Sequence, residues 1–92
     1  MECKLVKTCN ACPEQYDLVD LSGNMIAYFR LRHGVFTVEV PNCGGQLIYK
    51  AFPEGDGAFT DDEYYGYLQE ALTYVSKHLQ QPITVNFSDF RQ

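Results

Sequence analysis

The feature that most constrains this chain is the stretch from Met25 to Val40, MIAYFRLRHGVFTVEV. Folded about His33 and Gly34 as a two-residue turn, it sets Arg32 against Val35, Leu31 against Phe36, Arg30 against Thr37, Phe29 against Val38, Tyr28 against Glu39 and Ala27 against Val40. That register sorts the side chains by polarity. Ala27, Phe29, Leu31, Phe36, Val38 and Val40 fall on one face, with Tyr28, Arg30, Arg32, Val35, Thr37 and Glu39 on the other. This is the pattern of an antiparallel pair with one buried and one wetted face. A slip of one residue would turn every apolar side chain to water, so the register is strongly specified. Gly34 supplies a positive φ for a primed turn, and histidine enters the left-handed region more readily than most residues.

The flanking sequence extends this pair into a sheet. Gln15 to Leu21 alternates, with Tyr16, Leu18 and Asp20 on one side, and Ser22-Gly23-Asn24 is turn chemistry that folds it back on the hairpin. After Val40, Pro41-Asn42-Cys43-Gly44-Gly45 breaks the sheet. Gln46 to Phe52 then resumes it, with Leu47, Tyr49 and Ala51 opposite in direction to Ile48, Lys50 and Phe52. Pro53-Glu54-Gly55-Asp56-Gly57 reads as a loop. Thr60-Asp61-Asp62-Glu63 matches a capping box, with Thr60 at the N-cap, Glu63 at N3 and carboxylates where the helix dipole favours them.

A helix over Asp61–Leu79 follows, because Tyr64, Leu68, Ala71, Leu72, Val75 and Leu79 form a stripe that leaves Tyr65, Gln69, Thr73 and Lys77 to water. Gln81-Pro82 ends it, and Ile83, Val85 and Phe87 alternate as a last short strand. Residues 1–13 show no clear periodicity and read as a cysteine-containing arm. The expectation is an α+β domain spanning 1–92: sheet over 14–52, helix over 60–80 and final strand over 83–87. Its sheet is an antiparallel meander of four to five strands, with the one main helix packed on the face of Phe29, Leu31, Phe36 and Val38.

Composition limits the classes of function. Ninety-two residues, 46% apolar with seven Tyr and six Phe, suit one small globular domain and exclude a disordered chain. No apolar run approaches the roughly 20 residues of a membrane span. Met-Glu-Cys-Lys lacks the basic region and apolar core of a signal peptide, so the expected location is the cytoplasm, without a membrane. A net charge of −5 argues against nucleic-acid binding through an extensive basic surface. The charges are also segregated. Glu54, Asp56, Asp61, Asp62, Glu63 and Glu70 lie in a stretch without Lys or Arg, whereas Arg30, Arg32 and Lys50 sit in the preceding strands.

Constellations with chemical potential are few. Cys9-x-x-Cys12 has the spacing of half a zinc site, and Cys43-Gly-Gly resembles part of a knuckle whose other cysteine is replaced by Val40. A four-ligand metal site would need Cys3, Cys9, Cys12 and Cys43 together; otherwise these are free thiols, and disulfides are disfavoured in a reducing compartment. The acidic string lacks the spacing of an EF-hand and is explained by helix capping and solvation. The two histidines, His33 in a turn and His78 near a helix end, accompany no nucleophile motif or phosphate loop. Catalysis is not expected. What remains is surface: Tyr28, Arg30 and Arg32 stand in a row at period two, residue types that anchor interfaces, with the acidic residues Glu54, Asp56 and Asp61 as a competing surface. Tyr65 and Tyr74 add aromatic area on the helix.

Taken together, YFRLRHGVFTVEVPNCGG, the EGDGAF loop and TDDEYYGYLQEAL resemble small proteins encoded by bacteriophages and prophages. The resemblance spans about Cys9 to Leu79 and implies a stand-alone cytoplasmic protein without catalytic residues to transfer. By type, a small acidic phage protein of this kind resembles the anti-CRISPR inhibitors. That likeness implies a monomer in the host cytoplasm, needing no cofactor, that occupies a host CRISPR effector complex and blocks target nucleic-acid binding, with possible contact to the guide RNA. The alternative is a phage accessory module stabilised by one structural zinc on the four cysteines.

Overall fold

The computed structural model describes residues 1–9 and 14–85. Their order is β1 (Glu2–Cys9), β2 (Glu14–Asp20), β3 (Met25–Arg32), β4 (Val35–Val40), β5 (Gln46–Ala51), α1 (Tyr64–Leu79) and β6 (Thr84–Val85). The strands form one sheet in the order β5-β4-β3-β2-β1-β6. Thus β1 to β5 are an antiparallel meander, and β6 closes the far edge parallel to β1. The fold is α+β, with the helix packed on one face of the sheet.

The central hairpin has the register its polarity dictates, from Tyr28 opposite Glu39 to Arg32 opposite Val35. His33 and Gly34 both take positive φ, 54° and 75°, as a primed turn requires. Ala27, Phe29, Leu31, Phe36 and Val38 are wholly buried, together with Tyr16 and Leu18 from β2 and Leu68, Ala71 and Val75 from α1. Phe36 lies at the centre of an aromatic cluster, edge-on to Phe29, Tyr49, Phe59 and Tyr67 at centroid distances of 4.9 to 6.4 Å.

Three expectations need correction. The cysteine-containing arm is, as far as Cys9, a strand paired on both sides. Cys3 and Leu5 are buried and Lys7 lies opposite Tyr16, so β1 alternates once cysteine counts as an apolar side chain. The sheet therefore has six strands. In β5, Leu47 does not share a face with Tyr49. Val38 pairs with Tyr49 and Glu39 with Leu47, which makes Ile48 the extra residue of a bulge and turns Leu47 outward, 51% exposed.

Finally, the helix begins at Tyr64 rather than at Asp61. The Thr60 hydroxyl donates to Asp62 at 2.8 Å, so Thr60–Glu63 is a turn before the helix and only the reverse half of the capping box forms, Thr60 N–H to Glu63 at 2.9 Å. At the other end Gln80 is left-handed at φ 57°, and the helix stops at Leu79, not at residue 80. The expected final strand is described only at Thr84 and Val85; residues 86 and 87 lie outside the described residues, as does Cys12.

Candidate functional site

The helix covers one face of the sheet and leaves the other open. On that open face pairing fixes two cross-strand rows. One runs Gln15, Arg30, Thr37, Lys50, and the next runs Val6, Asp17, Tyr28, Glu39, Leu47. Tyr28, Arg30 and Arg32 therefore stand in line along β3, as the sequence implies. Arg30, Arg32, His33, Val35 and Thr37 line a shallow groove of about 410 Å³. Arg32 Nε donates to His33 Nε2 at 3.3 Å, so the turn histidine orients one guanidinium.

Charge around Tyr28 is mixed. Burial raises the Tyr28 phenol, and Cys43, Asp17 and Glu39 add to the rise while Arg30 opposes it. Glu39 in turn accepts from Gly44 N–H at 3.1 Å, which ties the Asn42–Gly44 turn to this end of the row.

The competing acidic surface lies beside the first. Gly34 N–H donates to the Asp56 carbonyl at 2.6 Å, so the loop carrying Glu54 and Asp56 is docked on the hairpin turn. Asp61 belongs to the separate turn ahead of the helix. Two carboxylates hold this loop. Glu63 accepts the N–H groups of Glu54, Gly55 and Thr60 at 2.8, 2.8 and 2.9 Å. Burial would raise the Glu63 carboxyl, but these donors together hold it below its ordinary value. Gly55 leaves no room for a side chain, since a Cβ there would stand 1.8 Å from the Ala58 carbonyl oxygen.

Glu14, only 2% exposed, reaches the same loop from β2. Its carboxylate accepts Phe59 N–H at 3.0 Å and the Tyr16 hydroxyl, and its own N–H donates to the Gly57 carbonyl at 2.7 Å. Sequence reasoning passed over Glu14, because a single glutamate after a proline carries no signal of burial. It also passed over Phe52, which is 69% exposed beneath the Lys50 ammonium at 5.7 Å. The period-two spacing from Lys50 was the available clue.

The three cysteines among the described residues are not brought together. Cys3 and Cys9 sit at opposite ends of β1, about 20 Å apart at about 3.3 Å per residue. Cys43 lies in the β4–β5 turn, several strands away from both. Cys3, Cys9 and Cys43 are free thiols, and burial raises that of Cys3. Among the described residues no three His, Cys, Asp or Glu side chains gather as a metal site, and no helix is long and apolar enough to cross a membrane. No family model matches the chain, and no curated protein or solved structure matches it either.

Proposed function

We propose that this chain acts by binding rather than catalysis, as a stoichiometric inhibitor of the anti-CRISPR type. It occupies a host CRISPR effector complex in the host cytoplasm through the open face of β3 and β4. The observation that carries the reading is the alignment of Tyr28, Arg30 and Arg32 on the uncovered face, with Arg30 and Arg32 lining one groove. Forked cations and a planar phenol suit a partner that presents carboxylates or phosphates. The acidic loop at Asp56 extends the contact toward basic groups, of which a nucleic-acid-binding complex has many. The resemblance to phage proteins supplies the target class.

The test is a titration of purified guide-loaded effector complexes, one of each type, scored by target cleavage. Occupancy predicts a linear loss of cleavage in one complex up to equivalence, with the effector's mass unchanged. Repeated turnover at substoichiometric protein, a modified effector, or no inhibition in any type would overturn the proposal.

A further inference from the structure

We infer that the open face is a short platform for single-stranded RNA, with Phe52 and Tyr28 as stacking rings and Arg30, Arg32 and Lys50 as phosphate contacts. The inference rests on the reading of this face as the binding surface and names its ligand. Phe52 contributes nothing to the core cluster, yet its ring is held under Lys50 on the face that carries the arginines. A partner carboxylate would need only the cations. A single strand uses both, because phosphates follow the charged groove while bases stack on the exposed ring of Phe52 and the half-buried ring of Tyr28 without regard to sequence.

The geometry suits a short footprint. Arg30 and Arg32 are two residues apart on one strand, about 6.6 Å, and Lys50 lies two strands across from Arg30, about 9.5 Å. Thr37 stands between them and donates its hydroxyl proton to the Arg30 carbonyl at 3.5 Å, which leaves its oxygen to accept from a ribose 2′-hydroxyl. Asp17 and Glu39 beside Tyr28, and Asp56 at the hairpin turn, bound the patch with negative charge. Contact is thereby limited to about three phosphates, consistent with a chain of net charge −5.

The experiment is fluorescence anisotropy with a labelled oligouridylate, competed by unlabelled RNA or by polyglutamate. Saturable binding at about 50 mM salt is expected, with a log–log salt slope of about −2 from three phosphates. Phe52→Ala should weaken binding about tenfold through loss of one stacked base. Its melting temperature should not change, because the ring is exposed. The double variant Arg30→Ala with Arg32→Ala should cut the slope to about −0.7.

No saturable binding, an unchanged slope in the double variant, or unchanged affinity in Phe52→Ala would each overturn the inference. So would competition by polyglutamate equal to that by RNA, since the ligand would then be a carboxylate surface. If RNA does not bind while the double variant loses its hold on the effector complex, the RNA inference falls and the binding face stands. If the double variant still inhibits like the parent, both fall.

Discussion

The β3–β4 hairpin and the loop from Pro53 to Thr60 meet at Gly34 and Asp56, yet they are held by different forces. The hairpin is fixed by burial. Its inward side chains Phe29, Leu31, Phe36 and Val38 are fully enclosed, and its turn residues have the φ values the turn needs. The loop buries little besides Pro53 and Phe59, and carboxylates from outside it, Glu14 and Glu63, accept the backbone N–H groups of Glu54, Gly55, Phe59 and Thr60. Apolar burial is indifferent to pH, whereas the hold of Glu63 on the loop weakens once its carboxyl is protonated. The scaffold and the acidic half of the proposed surface should therefore fail under different conditions.

The largest effect should come from the hairpin. Phe36→Ala removes the centre of the aromatic cluster and should cost about 3 to 5 kcal/mol in denaturant unfolding, a large share of the stability of so small a domain. A loss below about 1 kcal/mol would mean that burial does not hold this region. Next is Glu14→Ala, which leaves the Phe59 N–H and the Tyr16 hydroxyl without this acceptor in a buried site, at about 1 to 3 kcal/mol. If the loop is anchored as described, amide exchange should quicken at Gly57 to Thr60 and stay slow at Phe29 and Val38.

Glu63→Gln should cost about 1 kcal/mol at neutral pH, the size of a lost cap. The sign follows from the depressed carboxyl. Its contribution is present above the ordinary value near 4.5, shrinks as pH falls below it, and disappears below the folded-state value. Wild type and Glu63→Gln should thus converge in stability in acid, and a gap that persists there would contradict the ionic account. The smallest effect is expected from a metal chelator. With Cys3 and Cys9 at opposite ends of one strand, the melting temperature should not move; a fall would reveal a site that uses Cys12.

The same contrast explains what could be read from the sequence. The hairpin register was legible because one local pattern specifies both the turn and the buried face. β1 was not, because the outward Val6 and the inward Lys7 interrupt its alternation, Cys3 reads as a thiol before it reads as a hydrophobe, and its partners β2 and β6 are set by tertiary packing. The bulge at Ile48 was equally hidden, since a strict period of two places Leu47 inside. Thr60 and Glu63 were recognisable as a capping pair, but Glu63 also serves Glu54 and Gly55, contacts that only the folded loop creates. Of the site, the line of Tyr28, Arg30 and Arg32 was legible from period two. The docking of the acidic loop against it was not.

The central claim is that one face of the hairpin folds the protein while the other binds. The most direct measurement is the pair of values, affinity for the inhibited effector complex and melting temperature, for the double variant Arg30→Ala with Arg32→Ala. The account predicts that binding weakens by about 2 kcal/mol or more while the melting temperature stays within the shift expected of a surface change. Unchanged binding, or a loss of binding that comes with a loss of folding, would contradict it.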